Sequence, residues 1–214
     1  MPPEFQLEAL AEGAEALGVA LDEVRLRQLA DYALLLRRWN AVHNLTAIRS
    51  GGEMLTHHLL DSLALVPHLQ RLTAGAPARV LDVGSGGGLP GIVLAIALPQ
   101  LHLTLADAVQ KKCAFLTQAT LELGLGNVEV MHGRVEALRL PPFDFVVARA
   151  LATLAQFTAW TRHLLQPGGC WLAMKGRLPQ DELAALPRQL ETIVHQLQVP
   201  GLGEARHLIE IRAA

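Results

Sequence analysis

Glycines crowd the end of an apolar run in Val80-Leu81-Asp82-Val83-Gly84-Ser85-Gly86-Gly87-Gly88-Leu89-Pro90-Gly91. Glycine lets the backbone turn sharply and approach a ligand closely, and the free amides at the start of the helix that follows face the ligand. Pro90 suits a first helical turn, where its missing N–H costs nothing. Two classes of cofactor use such a loop. The spacing Gly86-x-Gly88-x-x-Gly91 formally matches the dinucleotide fingerprint, which is weak evidence by itself. Asp82, two residues before Gly84, favours the other class: a carboxylate beside the loop suits a cationic sulfonium and repels a pyrophosphate. Asp107 stands 19 residues after Gly88, at the end of Leu103-Thr104-Leu105-Ala106. A carboxylate there can accept hydrogen bonds from ribose hydroxyls in either class, or it can cap the following helix.

To act together these residues must reach one edge of a sheet. From residue 72 onward, short β-rich runs alternate with longer helical ones, the pattern of a mostly parallel sheet covered on both faces. Strands are expected at residues 80–83, 102–106, 128–131, 143–148 and 170–174, giving an α/β, Rossmann-like domain over residues 72–214. The third strand leads into His132-Gly133-Arg134-Val135-Glu136, and the fourth delivers Ala148-Arg149-Ala150 to the carboxyl edge, where ligands bind in this fold class. Residues 1–71 read as a helical N-terminal extension. In residues 24–39, Leu26, Leu29, Ala33 and Leu36 share one face while Arg27, Asp31 and Arg38 lie opposite. A second helix is expected over residues 53–69, entered through Ser50-Gly51-Gly52 and closing near Pro67. The segment 72–78, with Gly75 and Pro77, reads as a linker. A last helix is expected over residues 181–195, then an antiparallel pair around residues 199–203 that ends in Leu208-Ile209-Glu210-Ile211.

The pattern Asp82-x-Gly84-x-Gly86-x-Gly88 resembles the first motif of class I methyltransferases, whose cofactor is S-adenosylmethionine. In such enzymes the loop after the third strand binds adenine, which puts the backbone of Val135 and Glu136 at its edge; as a bland alternative, Glu136 is a first-turn helix carboxylate. The position of Arg149 faces the transferred methyl group. This chain has neither the Asp/Asn-Pro-Pro-aromatic motif of amino-group methylating enzymes nor the nucleophilic cysteine of pyrimidine-carbon enzymes there. The acceptor chemistry therefore needs no covalent attack.

Seven segments between Trp39 and Gly176 together resemble one family, the bacterial small-subunit ribosomal RNA guanine-N7 methyltransferases long known as glucose-inhibited division protein B. They are Trp39-Asn40, Asn44-Leu45-Thr46-Ala47-Ile48, His58-Leu59-Leu60-Asp61-Ser62, the glycine loop from Leu81 to Gly91, Arg134-Val135-Glu136, Arg149-Ala150 and Lys175-Gly176. Gly-Leu-Pro-Gly and Asn-Leu-Thr are more specific than the glycine loop. The resemblance implies that Gly84, Leu89, Val135, Glu136 and Arg149 contact the methyl donor and that the acceptor is a guanine in the 530 loop of 16S rRNA, free or in a small-subunit particle. Gly87 stands where proline is expected in many relatives, a change that alters loop stiffness more than function. The first twenty residues and the C-terminal tail carry no family signature.

Composition narrows the partners. A chain of 214 residues can bury roughly 70% of its unfolded surface, enough for a full sheet core. The apolar content is 51%, yet the longest apolar runs fall short of the ~20 residues of a membrane span. Cys113 and Cys170 are the only thiols, which fits a reducing, cytoplasmic location. With a net charge of -2, RNA contacts must be local, and Lys111, Arg134 and Lys175 are the candidates. His57, His58 and Asp61 share a helix but make a poor metal site, because adjacent side chains diverge; no metal is expected. Three rival readings stay open: a non-catalytic ribosome-assembly factor, a nicotinamide-dependent oxidoreductase, and a small-molecule methyltransferase.

Overall fold

In the computed structural model, which describes residues 7–48 and 50–213, the chain opens with helices. They are α1 (Leu7–Ala16), α2 (Glu23–His43), α3 (Gly51–Met54), a π-helical turn (Leu55–Leu60), α4 (Asp61–Leu63) and α5 (Val66–Thr73). Strands and helices then alternate: β1 (Arg79–Val83), α6 (Gly91–Ala97), β2 (His102–Asp107), α7 (Gln110–Glu122), β3 (Val128–His132), β4 (Phe143–Arg149), α8 (Leu154–Thr161), β5 (Leu165–Lys175) and α9 (Gln180–Ala184). A hairpin of β6 (Leu190–Leu197) and β7 (Arg206–Ala213) closes the fold.

The seven strands form one sheet in the order β3-β2-β1-β4-β5-β7-β6. The pairs among β1 to β5 are parallel, and β7 runs antiparallel to both β5 and β6. Successive strand residues point to opposite faces, so the continuous apolar runs feed two cores. Val80, Leu103, Val147 and Leu172 face one, while Leu81, Ala106, Val146 and Trp171 face the other. The first core is roofed by the N-terminal helices through Leu10, Leu29, Tyr32, Leu36 and Leu59, together with Ile92 of α6 and Phe115 of α7. The second is covered by Leu154 and Phe157 of α8. Chain direction reverses at β1: it continues outward to β2 and β3, whereas β4 lies on its other side. That switch point opens a crevice at the carboxyl ends of β1 and β4, and the glycine loop and Arg149 both emerge there.

Two expected elements differ. The helix expected over residues 53–69 is interrupted by the π-helical turn and by a break at Leu65. Pro67 does not end it but sits in the first turn of α5, where no N–H is needed. The helix expected over residues 181–195 stops at Ala184. Pro187 cannot continue it, and the β-branched run Thr192-Ile193-Val194 pairs instead with β7. The antiparallel pair is present, with residues 199–203 forming its connection. Of the expected segments, the outer ends at residues 1–6 and 214 lie outside the described residues.

Candidate active site

The loop after β1 is held from three sides. Gly84, Gly86 and Gly88 all have positive φ, at 69°, 57° and 89°. At Gly88 a Cβ would also lie 2.5 Å from Ile92 and 3.2 Å from the Tyr32 hydroxyl, so no other residue fits. Asp107, at the end of β2, accepts the Gly86 N–H at 3.0 Å and the Val109 N–H at 2.8 Å. Tyr32 reaches down from α2 and donates its hydroxyl to the Gly87 carbonyl. Asp82 supports the loop from below, accepting the Gly91 N–H at 3.0 Å. A Cβ on Gly91 would stand 2.6 Å from that same carboxylate, so glycine here permits the helix to seat on the strand.

Asp82 is 0% exposed and does not line the crevice. Burial pushes its carboxyl up to about 6, against the pull of Ser85, the Gly91 amide and Arg149. A fully buried carboxyl committed to the Gly91 amide under the loop does not meet a ligand in the cleft face to face. Its place in the fold is mechanical: it fixes the start of α6.

Above the loop lies a cleft of about 420 Å³. Gly84, Gly86 and Leu89 line it, together with Arg149 and Lys175 at the ends of β4 and β5. Its far wall comes from Thr46 and Ile48, from His57, His58 and Asp61, and from Arg206 and His207 at the start of β7. Gly88 is buried behind the loop. Val135 and Glu136 form a short 3-10 turn after β3, Val135 buried and Glu136 exposed, and neither lines the cleft. That turn is tied to the site indirectly, because Gly133 donates its N–H to the Asp107 carbonyl at 3.0 Å.

Arg149 spans the junction between sheet and helices. Its Nη1 donates to the His57 carbonyl at 2.8 Å and to Asp61 Oδ2 at 3.1 Å. Asp61, 3% exposed, also accepts from Arg206 Nε through Oδ1 at 3.2 Å. One carboxylate thus holds two guanidinium groups from two strands. His58 pairs through Nε2 with the Thr46 hydroxyl at 2.8 Å, and burial with the nearby Arg149 charge pushes it down to about 4, so the ring is neutral near pH 7. These bonds commit His58 and Asp61 to other partners, and among the described residues no group of three His, Cys, Asp or Glu side chains could hold a metal.

Of the three expected RNA contacts, Lys111 on α7 and Arg134 after β3 are exposed and lie outside the cleft. Lys175 lines it but is held by the Ala152 carbonyl at 2.8 Å and by Glu182 at 2.9 Å. Tyr32, Arg206 and His207 were not legible as site residues, since all three fall outside the family segments and Tyr32 sits on an apolar helix stripe. Asp61 was legible through His58-Leu59-Leu60-Asp61-Ser62, although its partners were not. No helix among the described residues is long and apolar enough to cross a membrane.

The family described as GidB, rRNA small subunit methyltransferase G, matches residues 25–209. A ribosomal RNA small subunit methyltransferase G from Acidovorax ebreus is 54% identical over 213 residues, covering 95% of this chain and 94% of that protein. One from Burkholderia thailandensis is 54% identical, covering 94% and 89%. Among solved structures, a complex described as MtNAS with MTA and tNA overlays 97% of this chain and 75% of its own at a TM-score of 0.59 and 12% identity. A methyltransferase from Thiobacillus denitrificans in complex with S-adenosyl-L-homocysteine covers 69% and 91% at 0.52 and 16%. TrmN from Thermus thermophilus covers 75% and 53% at 0.54 and 20%. At these identities the structural likenesses speak for the fold alone.

Proposed function

Because this chain belongs to the GidB family of rRNA small subunit methyltransferases, we propose that it transfers the methyl group of S-adenosylmethionine to N7 of a guanine in the 530 loop of 16S rRNA. The observation that carries the reading is the convergence, in one cleft at the sheet's switch point, of a positive-φ glycine loop and an anchored arginine. The floor of the cradle at Gly84 and Gly86 is bare backbone that the donor could approach closely, and Asp107, which holds the Gly86 amide from beside the cleft, would take the ribose side. Gly84, Gly86, Leu89 and Asp107 would hold the nucleoside, with Gly88 and Asp82 shaping the loop from behind. The backbone of Val135 and Glu136 would border the adenine.

When bound, S-adenosylmethionine supplies an electrophilic methyl on a sulfonium. Guanine N7 carries a lone pair and no proton, so the chain needs no general base. The neutral His58 and the ion-paired Asp61 are consistent with a site that does not move protons. The chain's contribution is alignment, which can supply up to ~7–11 kcal/mol, together with electrostatic stabilisation as charge passes from sulfur to purine. Arg149, with Nη1 anchored on the helical layer, presents the rest of its guanidinium to an anionic group of the donor or of the RNA.

The described residues up to 71 form, on this reading, a helical extension that completes the site, since Tyr32 and Asp61 both belong to it. The substrate is the small-subunit RNA or its particle, in the cytoplasm, with Lys111 and Arg134 on its phosphates. Mass spectrometry of 16S rRNA from cells lacking this protein should reveal the loss of one 7-methylguanosine, and purified protein with labelled donor should restore it. Unaltered rRNA would refute the assignment.

A further inference from the structure

We infer that Asp61 is the residue that makes the cleft tolerate a cationic methyl donor, a role the sequence assigns to Asp82; the inference rests on the donor reading above and names the group that enforces it. Among the described residues lining the cleft, Asp61 is the sole carboxylate, against Arg149, Lys175 and Arg206. Lys175 is neutralised from behind by Glu182 at 2.9 Å. That leaves two guanidinium groups, both at the sheet edge and both bonded to Asp61, at 3.1 and 3.2 Å. Glu204, the other partner of Arg206, is 64% exposed and screened by water.

Over the described side chains that line the cleft, the local sum is one positive charge with Asp61 and two without it. A sulfonium entering a cleft of two uncompensated arginines meets repulsion that low-dielectric walls do not screen. Asp82 acts on Arg149 only at a distance from under the loop: it is tied to Gly91, bonds to neither guanidinium and does not line the cleft. Asp61 is therefore a positioning residue in two senses. It fixes both guanidinium groups by one hydrogen bond each, and it sets the charge that the donor's sulfur meets.

The test compares S-adenosylmethionine with S-adenosylhomocysteine, which shares every group except the methyl and the charge on sulfur. Calorimetric titration of the purified full chain gives both affinities. In Asp61→Asn the affinity for S-adenosylmethionine should fall about tenfold while that for S-adenosylhomocysteine falls less than about threefold, because only the former carries the sulfonium charge. A purely structural role would weaken both ligands alike. Arg206→Gln removes a cation and keeps Asp61, so it should shift the ratio the opposite way, toward S-adenosylmethionine, and it reads the same balance should Asp61→Asn not fold. A ratio unmoved in a folded variant overturns the inference while leaving the donor reading intact. Failure of the unsubstituted protein to bind either nucleoside would overturn the donor reading and this inference with it.

Discussion

Arg149 is the residue at which the two halves of the cleft meet, and its removal isolates what alignment contributes. Arg149→Ala should lower methylation more than about tenfold, at least ~1.4 kcal/mol of transition-state stabilisation, when single-turnover rates are measured on purified ribosomal subunits. A near-normal rate would remove Arg149 from the chemistry. Two other groups make opposite contributions to stability against pH. The Asp82 carboxyl is raised by burial from 3.8 to about 6, so between those values the folded chain keeps a proton that the unfolded chain releases, and stability falls as pH rises. His58 is lowered by burial from 6.5 to about 4, so the unfolded chain holds the extra proton and stability rises over nearly the same range. The two slopes offset one another. Asp82→Asn removes the falling part and should make the urea midpoint climb more steeply between pH 4 and 6 than in the unsubstituted protein. Parallel curves would mean that the carboxyl titrates normally.

At the scale of elements, α2 matters to the glycine loop more than its position in the chain suggests. The Tyr32 hydroxyl is buried and donates to Gly87, whose own lack of a side chain leaves the loop to be stiffened from outside. Tyr32→Phe keeps the packing and removes that bond; it should cost about 1 kcal/mol in denaturant unfolding and weaken S-adenosylhomocysteine binding a few-fold. Full binding in the phenylalanine variant would show that the loop holds its shape unaided. The sheet was legible because buried parallel strands are short continuous apolar runs between glycine and proline signals, as at residues 80–83 and 143–148. The hairpin at the end was only half legible. Residues 190–197 are exposed along most of β6, so they lack the strong burial pattern that separates strand from helix, and only pairing with β7 decides between them. The break at Leu65 has no sequence signal stronger than Pro67, which permits a helix to start as readily as to end.

Across the whole molecule the question is how a chain of net charge -2 holds a polyanion. The cleft's cations are largely engaged: Lys175 with Glu182, Arg149 and Arg206 with Asp61. Most of the charge available to phosphates must then come from outside the cleft, and Lys111 and Arg134 are exposed on α7 and after β3. Counterion release makes the argument quantitative, since each phosphate contact adds about one unit to the slope of log affinity against log salt. Lys111→Ala and Arg134→Ala should each lower that slope by about one unit in filter binding to small subunits, with donor affinity unchanged. Lys175→Ala should leave the slope nearly unaltered and act instead on stability, because its loss strands Glu182, which also accepts the Leu154 N–H at 2.7 Å and so caps α8. The sequence offered all three lysine and arginine positions as equivalent phosphate contacts; only the folded chain, by placing a carboxylate 2.9 Å from one of them, separates an ion-paired cation from two exposed ones. Should Lys175→Ala instead flatten the salt dependence as much as the other two, the phosphate would have to displace Glu182, and RNA binding would then loosen α8 as it occurs.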